Sequence, residues 1–150
     1  MTNASTLERY TARFPKSKAM FERALHNQTR GVSHDAWYLD PFPVYMHGAK
    51  GSRMWDVDGY EYIDYFGGHG ALMLGHAHPS LVAAVNGQIT KGTHYGASHD
   101  LQVEWAEIVK KLVPCAERVE FTNSGTEANM LAMRLARAFT GREKIVRFRG

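Results

Sequence analysis

A strand–turn–helix–strand pattern near the end of the chain constrains its fold more than any other feature. Residues 118–122 have the composition of a short strand, and residues 126–140 carry apolar side chains at the spacing of an amphipathic helix. Gly141 suits the helix C-terminus, and residues 144–148 predict the next strand. Because a strand, a helix and a strand within about 30 residues form a βαβ unit, the sequence predicts the start of a parallel α/β sheet.

Upstream, the pattern predicts a helical arm and a small antiparallel meander. Residues 4–28 have helical periodicity, and Pro15 divides them into two helices. Residues 31–43 are expected to be irregular, because Pro41 and Pro43 exclude a central strand. Short strands are predicted at residues 44–46, 53–57 and 61–65, separated by residues 48–52 and by the hairpin signal Asp58-Gly59. Two further helices are predicted, from Pro79 to about Lys91 and from Asp100 to Leu112, the second capped by Ser98 or Asp100.

Composition narrows the class of protein. The 150 residues are 44% hydrophobic and 22% charged, with a net charge of +3, which is too mild to indicate a nucleic-acid partner. No run approaches the roughly 20 apolar residues of a membrane helix, and Met1–Ala4 lacks the apolar core of an export signal. Cys115 is the single cysteine, so an internal disulfide and a cysteine-based zinc site are excluded and a cytoplasmic location is expected. One βαβ unit cannot cover both faces of a parallel sheet, so we expect this chain to be the front part of a larger protein.

The turn at residues 123–127 lies at the C-terminal end of a predicted strand and the N-terminus of a helix, where open α/β sheets bind ligands. Free amides and the helix dipole favour an anion there, Gly125 allows close approach, and the Ser124 and Thr126 hydroxyls can donate. The turn is neither a P-loop nor a dinucleotide fingerprint. The residues alone leave a second interpretation open, in which Ser124 caps the helix and Glu127 completes a capping box.

Several motifs in register resemble class III aminotransferases, which are pyridoxal 5'-phosphate (PLP) enzymes of fold type I. The similarity is greatest to the glutamate-1-semialdehyde 2,1-aminomutase-like branch and covers about residues 30–150. The matching segments are residues 55–59, 62–65, 74–79, 123–128, 134–137 and 140–145. The resemblance implies an α/β fold in which residues 1–66 form the N-terminal arm and part of the small domain, and residues 67–150 begin the PLP-binding large domain.

The resemblance also implies a function. Ser124, Gly125 and Thr126 would bind the PLP phosphate, and the complete enzyme would transfer an amino group between an amino acid or amine and a carbonyl compound, as an aminotransferase or aminomutase. It implies a homodimer with an active site shared at the interface, near residues 67–70 and 92–96. The family's Schiff-base lysine lies downstream of Gly150, so no catalytic residue is expected here and the chain should be inactive alone. The alternative is a non-catalytic phosphate-binding half or partner chain of a split or truncated enzyme.

Three further residues are candidates for a substrate pocket. His69 stands where the resembled aminomutases carry a tryptophan, and Trp37 falls about where they carry a carboxylate-binding arginine. With His34, these residues predict an altered pocket for an aromatic or β-amino acid, although Trp37 and His69 could equally be structural. His76 and His78 lie in a turn and are expected to hydrogen-bond the chain there. No metal site is predicted, because no ligand spacing is recognisable.

Overall fold

The computed structural model describes residues 5–149, and the chain divides into two units, Met1–Thr93 and His94–Gly150. Residues 1–4, which include the segment judged to lack an export signal, lie outside the described residues. The domain boundary predicted between residues 66 and 67 refers to the complete enzyme and stays a prediction.

In the first unit the elements are α1 (Thr6–Arg13), α2 (Pro15–Leu25), two 3₁₀ turns (Thr29–Gly31 and Asp35–Trp37), β1 (Met46–Lys50), β2 (Arg53–Asp56), β3 (Glu61–Ile63) and α3 (Pro79–Ile89). The second unit contains α4 (Asp100–Leu112) and α5 (Gly125–Thr140).

The helical arm is divided at Pro15, as predicted. Helix α2 begins on that proline. The amide of a first helical residue has no partner within the helix, so a proline, which lacks the N–H, costs no hydrogen bond there. Asp58, in the turn between β2 and β3, accepts hydrogen bonds from the Lys16 amide at 2.7 Å, the Ser17 amide at 3.0 Å and the Ser17 hydroxyl at 2.7 Å. Ser17 is completely buried. A side chain 41 residues away in sequence therefore caps α2 and fixes it against the hairpin.

A three-stranded antiparallel sheet in the order β1-β2-β3 confirms the meander. The position predicted for its first strand was wrong. The strand is Met46–Lys50, so most of the segment expected as residues 44–46 precedes it, and part of the expected connection at residues 48–52 lies within it. The pairing register shifts between Met46 and Gly48, and such an irregularity accommodates a glycine in an edge strand. The hairpin at Asp58-Gly59 is confirmed, with Gly59 at φ 98°.

Helices α3 and α4 confirm their predicted positions, but neither predicted cap of α4 is correct. The N-cap is His99, whose Nδ1 accepts from the Leu101 amide at 3.1 Å, while the Gln102 side chain accepts from the His99 amide. Asp100 already lies in the first helical turn, where a carboxylate complements the helix dipole. None of the helices within residues 5–149 is long and apolar enough to cross a membrane.

The two strands predicted around α5 are not formed. Residues 118–122 and 144–148 have no strand pairing, and the only sheet in the described part of the chain is the antiparallel one. A parallel strand needs a neighbour along its edge and cover on both faces, and residues 144–148 have neither: Val146 is 96% exposed and Phe148 is fully exposed. The helix between them is confirmed and ends at Gly141, which adopts the left-handed conformation at φ 67°.

Candidate functional site

The turn at the start of α5 is closed by its own side chains. Ser124 is the N-cap, in extended conformation, and its Oγ accepts from the Glu127 amide at 3.2 Å. The Glu127 carboxylate accepts from the Asn123 amide at 2.7 Å, one residue before the position that a capping box would use. The capping interpretation is therefore right for Ser124, and Glu127 completes a variant of the box on Asn123.

Two more hydrogen bonds converge on the Ser124 carbonyl. The Thr122 hydroxyl donates to it at 3.1 Å and the Ala128 amide at 3.0 Å. Sequence reasoning did not assign these supporting roles to Thr122 and Asn123, although both are residue types that favour turns next to an N-cap. The turn is thus fixed in shape before any ligand binds.

The groups predicted to bind phosphate are hydrogen-bond donors that the internal hydrogen bonds of the turn do not use. Within residues 5–149, no hydrogen-bond partner is found for the amides of Gly125 and Thr126 or for the Thr126 hydroxyl. The Ser124 hydroxyl accepts from Glu127 but keeps its own proton to donate. These groups stand at the positive end of a 16-residue helix, the end at which anions bind.

Space for an anion is also present. A Cβ built on Gly125 would meet no atom within 4 Å, so the space beside its Cα is open. Ser124, Gly125 and Thr126 are all exposed. The acidic side chain of the first turn, Glu127, is occupied by the Asn123 amide. Donors, dipole and open space therefore fit a phosphate group.

The three predicted pocket residues fall into two places. The His34 and Trp37 rings lie 5.5 Å apart, and His34 Nδ1 accepts from the Ala36 amide at 3.1 Å. His69 packs instead against the Phe66 ring, with centroids 4.4 Å apart, and adopts a left-handed φ of 60°. The structure thus brings His34 and Trp37 together and places His69 on a separate loop.

His76 holds the two ends of that loop together. Its Nε2 lies 2.7 Å from Asp64 Oδ2, and its backbone pairs with Gly51 through two hydrogen bonds of 2.8 Å. Hydrogen bonds from the Gly67 amide and the His76 ring hold the pKa of Asp64 below its usual range. The predicted turn role is therefore confirmed for His76. His78 differs, because its Nδ1 is buried without a partner among the described residues.

In the described part of the chain, no group of three His, Cys, Asp or Glu side chains is arranged to hold a metal ion.

The sequence model of the family "Aminotransferase class-III" matches residues 35–150. This chain belongs to the class III aminotransferase family. It is 52% identical over 135 residues to the glutamate-1-semialdehyde 2,1-aminomutase of Methanothermobacter thermautotrophicus, a match that covers 90% of this chain and 32% of that protein.

Solved structures of aminotransferases agree with this membership. A β-phenylalanine aminotransferase from Variovorax paradoxus superposes with a TM-score of 0.87 at 32% identity, over 91% of this chain and 32% of that chain. A transaminase solved with PLP bound superposes with a TM-score of 0.85 at 41% identity, over 87% of this chain and 31% of that chain. The predicted family, its aminomutase-like branch and the α/β fold class are confirmed. The chain spans about a third of the length of these relatives.

Proposed function

We propose that Ser124, Gly125 and Thr126 bind the phosphate of PLP in an enzyme that transfers an amino group between an amino acid or amine and a carbonyl compound, as an aminotransferase or aminomutase. One observation carries this proposal: at the N-terminus of α5, the amides of Gly125 and Thr126 have no partner within the described residues, while the neighbouring groups of the turn are paired. The membership of the class III family and the similarity to a transaminase with PLP bound support it.

PLP, when bound, supplies an electron-withdrawing ring that stabilises negative charge on the substrate carbon. The contribution of this chain is to hold and orient the phosphate end. The Gly125 and Thr126 amides and the Ser124 and Thr126 hydroxyls would donate to phosphate oxygens. Hydrogen bonds to a charged group contribute about 1.5–3 kcal/mol each, so a few of them suffice for firm binding. Because the turn is already closed by Glu127 and Thr122, little ordering is needed on binding.

The remaining features of the proposed enzyme are inferred from its membership of the class III family. The lysine that binds the cofactor is placed downstream of Gly150, and the substrates are a small amino donor and a carbonyl acceptor. The complete protein is proposed to be a cytoplasmic homodimer whose subunits share the active site. The similarity to a longer aminomutase and a longer β-phenylalanine aminotransferase supports an enzyme that acts on small molecules and extends beyond these 150 residues.

Borohydride reduction of the native full-length protein, followed by intact-mass and peptide analysis, tests this function. We expect one pyridoxyl adduct per subunit, on a lysine outside residues 1–150. The same protein stripped of PLP before reduction is the control and should carry none. An adduct on a lysine within residues 1–150 would contradict the placement. A native subunit of 16.9 kDa without adduct would favour the non-catalytic cofactor-binding half instead.

The residues His34, Trp37 and His69 are proposed to shape the substrate pocket. In the complete enzyme, Trp37→Ala and His69→Ala are each expected to change the kcat/KM ratio between an aromatic and a short aliphatic amino donor by roughly tenfold, because an aromatic wall is lost. Glu22→Gln, in an exposed ion pair with Lys18, serves as control and should leave the ratio unchanged. Unaltered ratios in both pocket variants would show that these side chains are structural.

A further inference from the structure

Residues 65–75 form a loop whose two ends are joined by one carboxylate. Asp64 directly follows β3, and its Oδ1 accepts from the Phe66 amide at 2.8 Å and from the Gly67 amide at 2.9 Å. Its Oδ2 lies 2.7 Å from Nε2 of His76, the residue that follows the loop. The Asp64 side chain is only 4% exposed, so these contacts are made away from bulk water.

The charge of Asp64 fixes the direction of the hydrogen bond to the His76 ring. The hydrogen bond from the Gly67 amide, followed by those from the His76 ring and the Phe66 amide, holds the pKa of Asp64 below its usual range. The carboxylate is therefore ionised at neutral pH and can only accept, so Nε2 of His76 carries the proton. A hydrogen bond to an ionised acceptor is stronger than one between neutral groups.

The base of the loop is fixed to the turn between β1 and β2 by the backbone alone. His76 pairs with Gly51 through two hydrogen bonds of 2.8 Å, and the Asp64 amide donates to the Ser52 carbonyl at 2.8 Å. Gly75 adopts φ 74°, and a Cβ there would lie 2.8 Å from the Gly51 carbonyl oxygen, so only glycine fits. Because no side chain takes part, these contacts remain when the side chains of Asp64 or His76 are changed.

The hydrogen bonds inside the loop depend on its first residues. The Phe66 carbonyl accepts from the Gly70 amide at 3.1 Å, and the Gly67 carbonyl accepts from the Leu72 amide at 3.0 Å. The Leu72 carbonyl in turn accepts from the Gly75 amide at 2.9 Å. Since the carboxylate at the base holds both Phe66 and Gly67, its release affects every one of these bonds.

Backbone strain opposes the closed shape of the loop. The four successive residues 67–70 have positive φ, and His69, at φ 60°, is the one among them that is not a glycine. Strained backbone of this kind persists only where the surrounding structure holds it. Among residues 5–149, no hydrogen bond joins residues 65–75 to any residue outside 64–76. The side chains at the base are therefore the main restraint on the loop in the described chain.

We propose that the side chains of Asp64 and His76 form a latch for residues 65–75, and that without it this loop opens as one unit while the antiparallel sheet stays folded. The inference goes beyond the proposed function and does not depend on PLP binding. It also makes the position of His69, which lies on the loop, depend on two side chains outside the loop.

Hydrogen exchange of the full-length protein at neutral pH, corrected for intrinsic exchange, tests the proposal. In His76→Asn the side-chain amide reaches only as far as Nδ1 of the ring, so the bond to Asp64 is lost. In His76→Gln the side-chain amide reaches as far as Nε2 and can still donate to the carboxylate. We expect His76→Asn to speed exchange by roughly tenfold or more, and by a similar factor, at the amides of Gly67, Gly70, Leu72 and Gly75. His76→Gln should stay within about threefold of the wild type.

Two further variants complete the experiment. Asp64→Ala removes all three hydrogen bonds and should speed exchange of the loop more than His76→Asn does; if it fails to fold, the two His76 variants decide the question. His47→Asn is the matched control, because His47 is exposed on β1 and its side chain makes no hydrogen bond within residues 5–149. It should leave the loop unchanged.

Three outcomes would overturn the latch. One is unchanged exchange of the loop in His76→Asn. Another is an increase confined to the amides of Phe66 and Gly67, which would show that the loop does not open as one unit. The third is an equal increase across residues 46–63, which would show that the pair supports the whole sheet. PLP uptake by the same variants is a separate measurement that bears on the proposed function alone.

Discussion

Full-length protein carrying Thr126→Val is expected to bind PLP roughly ten- to a hundredfold more weakly than the wild type, because it loses one hydrogen bond to a charged phosphate. Valine keeps the branched shape and the backbone amide of residue 126, so only the hydroxyl is removed. That hydroxyl has no partner within the described residues, and its loss leaves no broken contact inside the turn. Titration of PLP-free protein with PLP, followed by absorbance or fluorescence, measures the change.

The same helix supplies a matched control. Thr140 lies at the other end of α5 and donates its hydroxyl to the Ala136 carbonyl at 2.7 Å, so Thr140→Val should leave PLP affinity unchanged. Gly125→Asp separates binding from folding. It places a carboxylate in the open space beside the Cα of residue 125, close enough to the donor amides to repel a phosphate. An acidic residue in the first turn nevertheless favours the helix itself. We expect PLP binding to be lost, whereas the melting temperature of the PLP-free variant should not fall below that of the PLP-free wild type. Unchanged PLP affinity in Thr126→Val would refute the phosphate assignment.

The parts of the fold that could be predicted are those with local causes. The division of the arm at Pro15 follows from the geometry of proline, and the end of α5 follows from a glycine that adopts φ 67°. The Ser124 cap likewise depends on residues within three positions of it. The candidate phosphate site was recognisable for the same reason, since its donors are neighbours in sequence.

Features that depend on distant partners could not be predicted. The strands expected at residues 118–122 and 144–148 have suitable composition, but composition does not supply the neighbour that a parallel strand requires. The sequence located Asp58 in a predicted hairpin and Asp64 in a predicted strand, but it did not indicate their hydrogen-bond partners. Asp58 caps a helix 41 residues upstream, and Asp64 pairs with His76 after an intervening loop.

Asp58→Ala is expected to release the N-terminus of α2 from the hairpin, at a cost of roughly 2–3 kcal/mol. Three hydrogen bonds to one carboxylate are lost, and the Ser17 hydroxyl and amide remain in a buried place. This free-energy cost is smaller than the sum for three hydrogen bonds to a charged group, because the hydrogen bond from the Lys16 amide is exposed and water can replace it. Hydrogen exchange of the α2 amides in the full-length protein should become roughly 30- to 150-fold faster. Asp35 makes no hydrogen bond to the residues of this cap, so Asp35→Ala should leave the hydrogen exchange of α2 unchanged.

Lowering the pH should also speed the hydrogen exchange of the α2 amides in the wild-type protein, although less than Asp58→Ala does. Burial raises the pKa of Asp58, but hydrogen bonds from the Ser17 hydroxyl and the Lys16 and Ser17 amides outweigh it, so the pKa lies below its ordinary value of 3.8. Because the pKa is lower in the folded than in the unfolded state, the stabilisation is complete above the ordinary value and is lost as the pH falls through the lowered one. Protection factors in α2, corrected for intrinsic exchange, should therefore fall below about pH 4. Asp58→Asn lacks this titration and should lose the acid-dependent step, whereas an identical step in Asp58→Asn would assign the pH dependence to another group.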